Sequence, residues 1–173
     1  SSQTLQWAYR IGHASYDDYG YAITCDKNDN VLLTGYFQGT QVDFDPAAIT
    51  QYTMSTQSGK DVFVLKLDNA GAFQWALDLG GPGTQIHDIG QAIKTDANNN
   101  VIVGGSFSGT IDFVSGIGTY NVLSAGNTDG FVAKYSPAGS FIWAKGISSS
   151  GIDACYGLCV DSIQGCSKYD KDT

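Results

Sequence analysis

Glutamate is absent from this 173-residue chain, because all 17 of its acidic residues are aspartate. Methionine occurs once, histidine twice and proline three times. Glutamate is a good helix former whereas aspartate prefers turns and helix caps, so this choice of acid disfavours helices. The 22 glycines, 10 tyrosines and 8 phenylalanines favour strands joined by tight turns instead.

Basic residues are also scarce, since nine lysines and arginines leave a net charge of −8. This balance argues against nucleic-acid binding, which needs a basic surface to neutralise phosphate. It equally disfavours docking on anionic membranes, and no apolar run approaches the roughly 18 residues that would insert into one. The acidic composition, rich in Ser, Thr, Asn and Gly, leads us to expect a secreted or cell-surface protein.

Cysteine is too sparse to form a framework across the fold. Three of the four cysteines fall in the last 20 residues, the set being Cys25, Cys155, Cys159 and Cys166. Their spacings do not indicate a zinc site. If 155–161 is a strand, Cys155 and Cys159 lie about 13 Å apart on one face, too far for a mutual disulfide. Ordinary thiols and a single disulfide both stay open.

Three tryptophans mark an internal repeat: Trp7, Trp75 and Trp143 stand 68 residues apart. A fixed period of this size indicates an array of one supersecondary unit. We predict one partial domain over 1–173, with repeats at about 13–80 and 81–148, a partial third repeat at 149–162 and a divergent tail at 163–173.

Within each repeat the hydrophobic pattern has a period of two, which is typical of strands. Segments 21–26 and 31–37 flank a polar turn, and 61–68 and 72–79 flank a second turn at 69–71. Each repeat is therefore predicted to contain four antiparallel strands, with a further small hairpin between the second and the third. We predict an all-β fold of propeller blades in an incomplete ring. A β-sandwich of the same strands is the alternative.

Five short motifs recur in the same order in both repeats: D-x-G, a strand ending in Asp, V-x-x-x-G, F-x-G-T and D-x-F-V-x-K. They occupy Asp18–Gly20 and Asp88–Gly90, Asp26 and Asp96, Val31–Gly35 and Val101–Gly105, Phe37–Thr40 and Phe107–Thr110, and Asp61–Lys66 and Asp129–Lys134. This order resembles the SBBP β-propeller repeat of large bacterial exported proteins. The resemblance implies rings of about seven blades and a non-catalytic scaffold or recognition role.

Two complete repeats cannot close such a ring alone. They would expose strand edges and apolar blade faces, both of which favour pairing. We therefore expect self-association through blade edges, with a monomeric partial array as the alternative. A glycan or protein ligand is a further possible partner.

Two polar turns carry the alternating oxygens of a calcium loop, namely Asp26, Asn28 and Asn30, and Asp96, Asn98 and Asn100. An EF-hand would also need a distal bidentate glutamate, which this chain lacks. The alternative is a hairpin turn whose Asp and Asn side chains bond local backbone. We expect no cofactor, with calcium at these turns as the other interpretation.

Other polar residues recur ahead of the first strand of each repeat. Asp18, Asp88 and Asp153 could tie down loop amides, or form an acidic collar that binds a cation or a polyhydroxylated ligand. His13 and His87 lie in the same loops and are candidate ligand-binding residues. Asp61 and Lys66 recur as Asp129 and Lys134, which predicts an inter-blade ion pair or a lysine lying along apolar surface.

No motif predicts catalysis, and a triad is recognised by geometry rather than by sequence. The tryptophans could be sugar-stacking platforms, but their place in the apolar pattern of the fourth strand favours packing. We therefore predict a non-catalytic scaffold or interaction module. The alternative is a carbohydrate-binding module, with or without assistance from calcium.

Overall fold

The computed structural model describes residues 4–45, 51–57, 59–82 and 87–160. The predicted tail at 163–173, the end of the third repeat and Cys166 lie outside these ranges. The described residues form twelve strands and no helix. They accordingly offer no long apolar helix of the kind that crosses a bilayer.

The first sheet, blade 1, contains four antiparallel strands in the order β1-β2-β5-β6. Their bounds are β1 Tyr19–Cys25, β2 Val31–Gln38, β5 Lys60–Leu67 and β6 Phe73–Leu79. Between β2 and β5 the chain forms a small hairpin, β3 Val42–Asp43 with β4 Thr53–Met54. Strand β1 pairs with β2 and β5 pairs with β6, so each of these hairpins joins strands that are adjacent in the sequence.

The second sheet, blade 2, repeats this arrangement with adjacent strands β7, β8, β11 and β12. Its bounds are β7 Ile89–Thr95, β8 Val101–Phe107, β11 Asp129–Tyr135 and β12 Phe141–Ile147, with the hairpin β9 Thr110–Asp112 and β10 Asn121–Leu123. The predicted all-β propeller architecture is thus confirmed, including the hairpin between the second and third strands. The two sheets do not close into a ring.

The glycine of each V-x-x-x-G motif has a steric reason. A Cβ on Gly35 would lie 1.8 Å from the carbonyl oxygen of Tyr19, and one on Gly105 would lie 2.0 Å from that of Ile89. The first strand of each blade has a register shift at this point, between Gly20 and Ala22 in blade 1. A side chain at the glycine would therefore collide with the irregular strand beside it.

The largest apolar cluster lies between the blades. Blade 1 contributes one face of its sheet, including Val62, Val64 and Leu79, and blade 2 contributes residues such as Val103 and Phe131. The first strand of blade 2, β7, lies against β1, β2 and β5. Both faces of a blade are therefore packing surfaces, which explains the nearly continuous apolar pattern of β5 and β11.

Segments at either side of the two blades cover their outer faces. Trp7, Tyr9 and Ile11 pack on the far face of blade 1, and Leu158 packs with Cys155 on the far face of blade 2. The repeat placed Trp7 on a fourth strand over 5–12, and a strand over 155–161 was considered, but residues 5–12 and 153–159 form none. A strand needs a ladder of successive hydrogen bonds. Within the described residues, segment 153–159 makes only isolated backbone bonds, from Asp153 to Thr128 and from Cys155 to Gly105, and residues 5–12 pair with no strand.

Candidate functional site

The polar turn of blade 1 is organised by the carboxylate of Asp26. Its Oδ1 accepts hydrogen bonds from the backbone N–H of Asn28 at 2.9 Å and of Asn30 at 3.1 Å. Its Oδ2 accepts from the side-chain amide of Asn30 at 2.8 Å. The ammonium of Lys66 lies 2.9 Å from the same Oδ2. Both oxygens are therefore committed to the turn and to strand β5.

Blade 2 reproduces this network around Asp96. Its Oδ1 accepts from the backbone of Asn98 and Asn100, and Lys134 lies 2.8 Å from Oδ2. Partial burial acts to raise the pKa of Asp96, but the bonds from Lys134, Asn100 and the backbone outweigh it and hold the pKa at about 2. Asp96 is consequently ionised at every physiological pH.

These contacts correct one interpretation of the repeated lysines. Lys66 was expected either to pair with a charge on another blade or to lie along apolar surface, yet its ion pair is with Asp26 of its own blade. It also donates a hydrogen bond to the carbonyl of Pro137 in the neighbouring blade, at 3.3 Å. Calcium binding at these turns stays a prediction, and an ion there would have to displace the lysine ammonium.

The aspartates that precede the first strands each hold their own loop. Asp18 accepts from the backbone of His13 at 2.6 Å and of Gln38 at 2.9 Å. Asp88 is buried and accepts from the backbone of Ser108 at 3.1 Å. Asp153 accepts from the hydroxyl of Ser149 at 2.6 Å. Each carboxylate thus ties down loop amides or hydroxyls, as one of the two interpretations predicted, and the acidic collar stays a prediction.

The two histidines differ in their surroundings. His13 is half-buried, its Nδ1 accepts from the backbone N–H of Ser15, and its ring lies 5.0 Å from that of Tyr16. His87 is exposed. Within the described residues no three His, Cys or Asp side chains are grouped so as to hold a metal ion. Ligand binding by either histidine stays a prediction.

Sequence patterns missed a cavity at the opposite end of the blades from the polar turns. This acidic pocket has a volume of about 180 Å³ and is lined by residues that include Gln57, Asp61, Asp78, Gly80, Asp112 and Ser115. Blade 1 supplies its two central carboxyl groups, Asp61 and Asp78. The second blade supplies Asp112 and Ser115, so the cavity lies at the junction of the two blades.

Burial governs the protonation of this pocket. It raises the pKa of Asp61 to about 7. Burial, followed by the charges of Asp61 and Asp88, raises the pKa of Asp78 to about 8. Burial and the charge of Asp61 raise the pKa of Asp88 to about 8 as well. The three carboxyl groups are electrostatically coupled, and like charges in close proximity resist simultaneous ionisation.

A sequence signal for the pocket existed in the repeat itself. Counting from the tryptophans, the position of Asp78 holds Arg10 in the preceding unit and Gly146 in the following one. Asp61, by contrast, recurs as Asp129. An unrepeated acid beside a repeated one distinguishes this junction from the rest of the array.

Tryptophan joins one unit to the next. The indole N–H of Trp75 donates to the carbonyl of Pro137 at 3.1 Å, and its ring lies so close to Gly139 that a Cβ there would be 3.2 Å away. Trp7 makes the same pair of contacts with Asn69 and Gly71 of blade 1. The half-buried tryptophans thus dock on the next unit's turn, a packing role at the blade junction.

A repeated inter-blade joint, together with four-stranded blades, is the arrangement of a propeller array. Residues 6–36 match the family model SBBP, described as a β-propeller repeat. This segment therefore matches one SBBP-type β-propeller repeat. The match spans the docking tryptophan Trp7 and the first hairpin of blade 1.

One relative of these propeller repeats is a WD repeat-containing protein of Acanthamoeba polyphaga mimivirus, itself described as uncharacterized. It is 28% identical over 183 aligned residues, which cover 91% of this chain and 12% of the relative. The chain therefore spans only about an eighth of that protein's length. The family match and this relative support a non-catalytic interaction scaffold, and the bacterial source stays a prediction.

Proposed function

We propose that this chain is a non-catalytic scaffold module that works by docking further propeller blades, and that it acts outside the cell as a secreted or surface protein. The observation that carries the proposal is a pair of equivalent isoleucines. Ile93 of blade 2 is 2% exposed because blade 1 covers it, whereas Ile23 of blade 1 is 66% exposed. The same repeat position is therefore covered by a neighbouring blade in blade 2 and exposed to solvent in blade 1.

The face around Ile23 has the properties of an unfilled blade contact. Tyr19 and Tyr21 on β1 are also exposed. A cavity of about 250 Å³ lies beside them, lined mainly by apolar residues that include Trp7, Leu33 and Phe63. Exposed apolar surface of this kind is typical of interaction sites. We propose that a second copy of this chain docks here, as blade 1 docks on blade 2.

Light scattering tests this association. We expect the wild-type chain to show a mass above that of a monomer, and Ile23→Asp to shift it towards the monomer because a charge would be buried at the contact. Ile117→Asp is the matched control, since Ile117 is fully exposed in a loop. A monomeric wild type at high concentration would contradict docking of a second copy.

Carbohydrate binding is a second candidate, supported by the aromatic cluster on β1. The rings of Tyr19 and Tyr21 are 6.2 Å apart and stacked, and both lie within 6.1 Å of the ring of Tyr36. Exposed tyrosines offer an apolar face and a polar hydroxyl, which suits sugar recognition. A glycan array with and without chelator tests it, and a signal lost in Tyr21→Ala would favour this candidate over the scaffold.

Localisation needs a separate measurement. An antibody against this chain, applied to fractions of the source cells, should detect it in the medium or on the surface. Detection in the cytosol alone would contradict the proposed location while leaving the docking proposal intact.

A further inference from the structure

The acidic pocket contains two carboxyl groups that each have a buried oxygen without a hydrogen-bond donor. Asp61 is 2% exposed, and its Oδ1 has no hydrogen-bond partner. The Oδ1 atom of Asp78 is buried and equally without a donor. Asp78 pairs with Phe63 in the β5–β6 ladder, so Asp61 and Asp78 are diagonal neighbours on one face of the sheet, and both line the same cavity. Because a carboxylate oxygen can only accept, two buried carboxyl groups in one cavity require either a proton or a cation.

The described lining of the pocket contains no lysine or arginine. Among the other buried aspartates, Asp26 and Asp96 each have a lysine ammonium within 3 Å, at 2.9 and 2.8 Å, whereas Asp88 and Asp129 accept from backbone N–H groups. A buried carboxylate without a counter-charge is costly, so Asp61 and Asp78 need a positive charge from solution whenever both are ionised.

The remaining walls of the pocket offer oxygen atoms. Ser115 presents its hydroxyl, which accepts from the backbone N–H of Asp78 at 3.2 Å. Gln57 and Asp112 also line the cavity. Asp112 already uses its Oδ1 for the N–H groups of Val114 and Tyr120. The cavity of about 180 Å³ greatly exceeds the roughly 10–15 Å³ that one water requires, so an ion can keep water ligands.

We propose that the acidic pocket binds a calcium ion between Asp61 and Asp78, completed by neutral oxygens of Ser115 and Gln57 and by water. Calcium accepts irregular sets of carboxylate, carbonyl and water oxygens, whereas magnesium demands near-ideal octahedral geometry. Two carboxylates are fewer than a high-affinity site uses, in line with the absence of a three-acid metal group in the described residues. We expect a dissociation constant in the range of about 10⁻⁴–10⁻³ M that is common for extracellular modules.

The ion would act at the joint between the blades. Asp61 and Asp78 belong to blade 1, and Ser115 follows the strand β9 of blade 2. The two blades already meet here, because the backbone N–H of Asp112 donates to the carbonyl of Gly80 at 2.8 Å. Calcium would therefore stabilise one specific junction. This inference does not depend on the proposed docking of further blades.

Calorimetric titration of the chelator-stripped, full-length chain with calcium chloride tests the proposal. At pH 8.5 we expect one ion per chain, with thermal unfolding shifted upwards. At ten times the dissociation constant the unfolding constant should fall roughly tenfold. At pH 5.5 protons compete for Asp61 and Asp78, so the affinity should fall several-fold. Magnesium chloride should bind more weakly than calcium.

Two variants separate this pocket from other acidic surface. Asp78→Asn should abolish the calcium response, while Asp17→Asn, at an exposed aspartate, should retain it. Ser115→Ala should weaken binding several-fold, and it provides a second readout if Asp78→Asn does not fold. A wild-type chain that ignores 10 mM calcium, or a response that survives in Asp78→Asn, overturns the proposal. The proposal would also be overturned if Asp78→Asn were more stable than the wild type at pH 8.5 and calcium had no effect on the wild type. That combination would assign a shared proton to the two carboxyl groups.

Discussion

Aspartate serves three different purposes in this chain, and its surroundings decide which. Asp96 receives a lysine and several amide donors, so its pKa falls to about 2. Asp18 bonds loop amides next to the first strand. Asp61 and Asp78 line one cavity, and burial raises the pKa of each. One residue type therefore supplies an ion pair, a loop anchor and an acidic pair.

The Asp26–Lys66 pair gives the first prediction. Replacing Lys66 by Met should lower the free energy of unfolding by roughly 3–5 kcal/mol, because it leaves a buried carboxylate without its counter-charge. Urea unfolding followed by tryptophan fluorescence measures this. Lys94→Met, at an exposed lysine, is the control. The double variant Asp26→Asn/Lys66→Met should recover part of the loss, and equal losses in Lys66→Met and Lys94→Met would disprove the role of the pair.

At the scale of elements, the joint between blades is an indole ring packed on a turn that contains glycine. Gly139 has a φ of +81° and lies against Trp75. Gly116 has a φ of +98° but a Cβ there would meet nothing within 4 Å. Both backbones favour glycine to a similar degree, so that the two positions differ chiefly in the ring contact.

This difference yields the second prediction. Gly116→Ala should cost about 1–2 kcal/mol from backbone strain alone. Gly139→Ala should cost about 1 kcal/mol more, because the indole must move away from the new methyl group. In a Trp75→Ala background the excess should disappear, and thermal or urea unfolding of the four chains measures it. An excess that persists without the indole would refute the docking contact.

Local pairing explains why the elements themselves were predictable. The hairpins β1–β2 and β5–β6 join neighbours in sequence across polar turns, and their alternation is visible in the chain. The segments at 5–12 and 153–159 show the limit of that pattern. Their place in the repeat suggested strands, but residues 5–12 pair with no described strand and 153–159 makes only isolated backbone bonds to blade 2, whereas a strand needs a continuous ladder.

At the scale of the whole molecule, the carboxyl groups divide into two sets with opposite effects on stability. Asp61, Asp78 and Asp88 have pKa values raised to about 7, 8 and 8. They stabilise the fold below the ordinary value of 3.8, and this contribution is lost as the pH rises through 7 to 8. Asp26 and Asp96 have lowered pKa values, so their contribution is lost as the pH falls below 3.8.

The third prediction is therefore a stability maximum at mildly acidic pH. In buffer containing chelator, the free energy of unfolding should decline from pH 4.5 to pH 8.5, and it should also decline from pH 4 to pH 2. Urea titrations across this range measure it. Asp78→Asn should flatten the alkaline side, whereas Asp17→Asn should not. A stability that rises between pH 4.5 and pH 8.5 would contradict the raised pKa values.

Equivalent positions of the repeat differ in exposure because of how the blades pack against one another. Ile23 and Ile93 occupy the same place in the repeat, yet one is exposed and the other buried. Nothing in their local sequence distinguishes them, because the difference comes from the blade that covers Ile93. The same holds for the acidic pocket, whose walls come from two blades.

The repeat, the four strands of each blade, the small hairpins and the turn chemistry were all determined by the sequence alone. They depend on side-chain alternation and on contacts between neighbouring strands, which a linear pattern reveals. The tertiary structure alone decided that Lys66 pairs with Asp26, that Trp75 docks on Gly139 and that Asp61 meets Asp78 in a cavity. The first two contacts join residues distant in the chain. All three depend on how strands and blades are set against one another, and this orientation is a property of the packed sheets rather than of any local pattern.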